Sequence, residues 1–129
     1  MAEAQSIDNR ISELIAYQND LFRAGLLASS KRMDAERKGI RGHYVFTPGF
    51  EAVPALSKIQ ILKKIVEFSD FEEENDPYGQ HDFGAVKLHG YNIFWKIDYY
   101  DLIFKGGSEN PHDPEQTRRV LTVMLASEY

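Results

Sequence analysis

The chain has 129 residues, 43% hydrophobic, 12% aromatic and 27% charged, with 15 Lys+Arg against 20 Asp+Glu and no cysteine. This is the size and make-up of one folded domain over residues 1–129, and it excludes a collagen-like chain, wholesale disorder, a disulfide framework, a thiolate zinc site and a cysteine nucleophile. No apolar run approaches the roughly 18 to 20 residues that cross a bilayer, and Met1 to Gln5 lead into no signal-peptide core, so a cytoplasmic protein without membrane contacts is expected.

Charge is unevenly spread. Residues 1–66 carry ten basic and seven acidic side chains, whereas residues 67–129 carry five and thirteen, a net of −8. Such a segment repels a phosphate backbone, so nucleic acid is not the expected partner.

Ser6 precedes a helical pattern in which Ile7, Ile11, Leu14, Ile15, Leu21 and Phe22 recur at helical offsets, broken at Gln18. The spacing predicts a first helix over 7–22, ended by Gly25. Residues 28–42 hold Lys31, Arg32, Arg37, Lys38 and Arg41 with little apolar material, which predicts a polar, basic loop. His43 to Thr47 is rich in aromatic and β-branched residues and stops at Pro48-Gly49, as a short strand would. Pro54 then opens a second helix to Ser69, with Leu56, Ile59, Leu62, Ile65 and Val66 on its apolar face. Glu67 to Asp76 follows as an exposed connection with six acids in ten residues, closed by Pro77.

From His81 to Asp101 apolar and polar residues alternate on both sides of His89-Gly90, which predicts a β-hairpin. With those two as the turn, Leu88 opposes Tyr91, Val86 opposes Ile93, Gly84 opposes Trp95 and Asp82 opposes Ile97 on the apolar face. The other face then carries Lys87 with Asn92, Ala85 with Phe94, Phe83 with Lys96 and His81 with Asp98. Gly84 leaves room for the indole. Leu102 to Lys105 suggests one more short extended piece before Gly106-Gly107-Ser108 breaks it. Asp113-Pro114-Glu115-Gln116 has the look of a helix start, and Val120, Leu121, Met124 and Leu125 would be the buried stripe of a third helix running to Ser127. The expected class is α+β: a small, mainly antiparallel sheet of three to four strands, made of a strand plus a β-hairpin and covered by three helices.

The candidate catalytic groups are His81, Lys96 and Asp98, since a carboxylate facing an imidazole can orient it and raise its basicity. His81, Asp82, Asp98 and His112 are ligand types without ligand spacing, so no metal and no cofactor is expected. A restriction-nuclease strand needs an acid-x-Lys triplet, and Ala85-Val86-Lys87 and Phe94-Trp95-Lys96 both lack the acid. Gly106-Gly107-Ser108 lacks the lysine of a phosphate loop. A different chemistry is offered by Glu72, Glu73, Glu74, Asp76, Tyr78, Asp82, Tyr100 and Asp101: carboxylates beside aromatic anchors are what a basic protein surface engages.

Three segments carry a resemblance: NDPYGQHDFG (75–84), FWKIDYYD (94–101) and TRRVLTVMLASEY (117–129). Through them the chain resembles the uncharacterised, mainly alphaproteobacterial, often plasmid-borne family catalogued as domain of unknown function 3768. The matching positions are Asp76, Pro77, Tyr78, Gly79, His81, Asp82, Phe83 and Gly84, then Trp95, Lys96, Asp98, Tyr99, Tyr100 and Asp101. The resemblance implies no catalytic residue or cofactor. It implies the company of plasmid-maintenance, conjugation and antirestriction genes. The resulting expectation is a non-enzymatic interaction module of mobile-element origin, with an accessory or anti-defence role (antirestriction or anti-CRISPR-like), acting on an unidentified protein through an acidic, Tyr-rich surface. The alternative is a metal-assisted hydrolase or nuclease-like enzyme built on His81 and Asp98.

Overall fold

The computed structural model describes residues 2–129, with side chains from Ile7 onward. Helix α1 (Ala2–Ala24) and helix α2 (Ser29–Arg37) lead into strand β1 (Gly42–Phe46), the short helix α3 (Pro48–Glu51) and helix α4 (Ala55–Val66). Strands β2 (Phe83–Leu88), β3 (Tyr91–Tyr100) and β4 (Arg118–Leu125) follow, and a single 3₁₀ turn, Ala126–Glu128, ends the chain. The four strands form one sheet in the order β1-β4-β3-β2, antiparallel except for the β1–β4 pair. This is a small α+β fold.

The hairpin has the expected register: Gly84 pairs with Trp95, Val86 with Ile93 and Leu88 with Tyr91. His89 and Gly90 both take positive φ, 52° and 81°, the requirement of a tight type I′ turn whose twist matches its strands. One sheet face turns Trp95, Ile93, Ile97, Leu121 and Val123 towards Phe22 of α1 and Ile61 and Ile65 of α4; all are buried. Trp95 is fully enclosed, edge-on to Phe68 and Phe71. On the other face Tyr129, just after the closing 3₁₀ turn, packs edge-on against Phe83 and Phe94, and Phe104 stacks on His43.

Five expectations need correction. The third helix does not exist: Asp113-Pro114-Glu115-Gln116 makes one turn, with the Asp113 carboxylate accepting from Glu115 N and Gln116 Nε2, and the chain then straightens into β4. Residues 118–125 satisfy two periods at once. The pairing of β4 with both β1 and β3 selects the period of two, burying Leu121 and Val123, while Met124 is buried on the opposite face. Residues 28–42 are not a loop, since α2 occupies 29–37 and buries Ala35. Its weak amphipathicity hides it from pattern reading, because a single alanine is its buried contact. On α4 the apolar stripe is rotated, with Ile61 and Ile65 buried and Leu56 and Ile59 exposed. Finally, residues 102–105 form a turn rather than an extended piece; the Asp101 carboxylate accepts from the amides of Ile103 and Lys105, and Tyr100 bridges to Gly107. The first helix also begins at Ala2, well before Ser6.

Candidate functional site

Between α4 and β2 the acidic connection is folded and braced. Phe71 turns inward, stacked on the His81 ring at 3.9 Å and edge-on to Phe68 and Trp95. Asn75 ties the loop to itself: its Oδ1 accepts from Glu72 N at 2.8 Å and its Nδ2 donates to Asp70 O at 2.9 Å. Asp76 is buried, and its carboxylate accepts from the amides of Gln80 and His81. Anchored from below in this way, the loop presents Glu72, Glu73 and Glu74 outward, with Tyr78 78% exposed at its far end.

His81 does not meet Asp98. It adopts φ 56°, a left-handed conformation that is costly for a residue with a Cβ, and this swings the side chain out of strand alternation towards α1. Its Nδ1 lies 3.0 and 3.1 Å from the two oxygens of Asp20, and its Nε2 lies 3.8 Å from Asp76 Oδ2. Both ring nitrogens therefore face carboxylates. Asp98 lies on the other side of the sheet, where it accepts from Lys96 Nζ at 2.6 Å. That hydrogen bond raises the lysine pKa above its ordinary value. The candidate catalytic trio is thus split between two faces.

The largest polar feature of the helix-covered face was hidden from sequence reasoning. Arg119 of β4 is fully buried and pairs with no carboxylate among the described residues. Its Nε donates to Asn19 Oδ1 at 2.7 Å, and its Nη2 donates to Gln18 Oε1 at 2.8 Å and to Pro111 O at 3.1 Å. Its Nη1 has no hydrogen-bond partner among the described residues, and its guanidinium lies over the Tyr99 ring. Burial lowers the Arg119 pKa to about 10, which leaves it charged at neutral pH. Asn19 completes the layer by donating from Nδ2 to Tyr99 Oη and Gln80 O. Burial raises the pKa of Asp82 first of all, with the Asp76 charge adding to it, and Tyr99 Oη donates to its carboxylate at 3.4 Å. Arg23, also buried, reaches the carbonyls of Ile65 and Phe68 and lies against Trp95. The break at Gln18 in the α1 pattern was the sequence signal of this polar layer.

Of the partner-binding candidates, Glu72, Glu73, Glu74 and Tyr78 are outward on one loop, while Asp76 and Asp82 point into the fold. Tyr100 follows Tyr99 and so takes the open face, and Asp101 spends its carboxylate on its own turn. His112 contributes its carbonyl to Gln18. Among the described residues, no three His, Asp or Glu side chains converge as ligands for a cation, and no helix is long and apolar enough to cross a membrane.

No curated protein and no solved structure matches the chain. A family model does, over residues 46–128, the stretch that runs from the end of β1 through the acidic loop and the hairpin to the last turn. The chain therefore belongs to the family described as Protein of unknown function (DUF3768).

Proposed function

We propose that the protein is a non-enzymatic interaction module, of mobile-element origin and in an accessory or anti-defence role, that binds a basic protein surface through the acidic loop. The bracing of that loop carries the reading. A connection that needs only to be soluble gains nothing from a half-buried Phe71 packed on His81, an Asn75 clasp and an inward Asp76, whereas a binding surface held in shape loses less entropy when it docks. Glu72, Glu73 and Glu74 provide the charge and Tyr78 the aromatic contact that interfaces favour.

The enzyme alternative required His81 and Asp98 in one place, and they lie on opposite faces of the sheet. His81 instead sets Nδ1 against Asp20 and Nε2 3.8 Å from Asp76, an arrangement that supports a role in bracing the loop. A thermal midpoint raised by millimolar magnesium, manganese or zinc would reopen it, because a ligand of the native state stabilises that state.

The test is capture from a bacterial lysate on the immobilised chain. A bound protein that salt releases, and that is lost with the triple variant Glu72→Lys, Glu73→Lys, Glu74→Lys and weakened by Tyr78→Ala, supports the reading. Retention that ignores these substitutions counts against it, as does the absence of any bound protein.

A further inference from the structure

The sheet has a second surface of opposite character at its other edge. Among the described residues β1 pairs with β4 alone, so its outer side carries no partner strand. In this parallel ladder Arg119 N donates to Arg41 O and Thr47 N donates to Val123 O. Odd-numbered residues of β1 therefore bond inward, and the N–H and C=O groups of Tyr44 and Phe46 point out of the sheet. Beside them runs a groove of about 380 Å³ lined by Leu26, Arg32, Gly42, His43, Tyr44 and Phe46. Natural edge strands are usually blunted by a proline, a bulge or an inward charge. β1 has none of these in its five residues, Gly42 to Phe46.

We propose that β1 is a docking edge for an extended acidic segment of another protein, which adds as a fifth strand and sets its apolar side chains on Leu26, Tyr44 and Phe46. Charge selects the occupant. Among the described residues no carboxylate lines the groove. Arg32 does, held by two hydrogen bonds to Gly25 O from Nε and Nη2 and stacked over the Tyr44 ring. Arg41 stands exposed at the start of the strand. Glu36, which acts on the Tyr44 phenol and shares the adjoining pocket with Arg32 and Arg41, is outnumbered there by these two arginines. A second copy of the chain pairing β1 to β1 would bring like charges together, which disfavours it. A nucleic acid would use the arginines but has no main chain with which to answer the alternating amides and carbonyls of the edge.

The experiment uses the full chain and a short labelled peptide of alternating Glu and Val. Anisotropy should report binding, weakened about ten-fold or more by Arg41→Glu, and weakened as much when alternate peptide amides are N-methylated, a change that leaves the protein untouched. Hydrogen exchange should slow at the Tyr44 and Phe46 amides on binding, while the Val45 amide, already bonded to β4, stays as it was. The proposal is overturned if the peptide fails to bind, or if the N-methylated peptide or a Lys/Val peptide binds equally well. It is also overturned if oligothymidine binds more tightly than the peptide, or if binding leaves Tyr44 and Phe46 unprotected. The acidic-loop triple variant should bind the peptide normally, so this result is independent of the other surface.

Discussion

Arg119 Nε donates to Asn19 Oδ1 at 2.7 Å, a bond between α1 and β4 that joins residues 100 apart and holds a buried guanidinium with neutral oxygen atoms. A buried charge whose partner is removed keeps its desolvation cost without its compensation. Asn19→Ala should therefore cost about 2 to 4 kcal/mol, since it strips Arg119 of one acceptor and Tyr99 Oη and Gln80 O of a donor. Urea denaturation measures it. A loss below about 1 kcal/mol would mean that the layer does not hold α1 to the sheet.

Gly84 lies against the indole of Trp95, and a Cβ added there would overlap Nε1. Gly84→Ala should destabilise by roughly 1 to 3 kcal/mol through overpacking, and by distinctly less in a Trp95→Phe background where the overlapping edge is gone. Equal costs in the two backgrounds would place the effect in the strand backbone instead.

The backbone of His81 separates two contributions of one residue. His81→Ala and His81→Gly both lose the Asp20 contact and the Phe71 stack, but at φ 56° only glycine is unstrained. The glycine variant should be the more stable by about 1 kcal/mol, and equal stabilities would show that the left-handed conformation stores no strain.

Asp82 gives a prediction in pH. Burial raises its folded-state pKa, so the native state holds the proton more tightly than the unfolded chain does. The contribution is favourable below the unfolded value and is lost as pH rises through the folded one. Asp82→Asn escapes that loss and can still accept from Tyr99. Relative to the parent, it should be more stable at pH 7 than at pH 3. A difference that does not change with pH would remove Asp82 as the source.

What was legible in the sequence follows from how local the cause is. The hairpin is governed by its own turn and its own alternation, so its register from Phe83–Lys96 to Leu88–Tyr91 could be read directly. β4 could not, because Arg119 occupies an inward position where a pattern expects an apolar residue, and only its distant partners Gln18 and Asn19 explain it. The acidic loop was legible as charge but not as a platform, since Phe71 and Asp76 acquire their roles from His81. His81 itself was misplaced by alternation, which a single positive φ overrides.

The strand order has a consequence for synthesis. β4, made after the other three strands, lies between β1 and β3 and supplies the arginine that holds α1. Until Arg118 to Leu125 have left the ribosome, β1 has no neighbour and β3 has one unsatisfied side, so the nascent chain exposes strand edges for as long as it takes to translate everything in between. Long-range pairing of this kind folds slowly and leaves time for unwanted pairing. Loss of the final strand would remove the centre of the sheet rather than trim its margin.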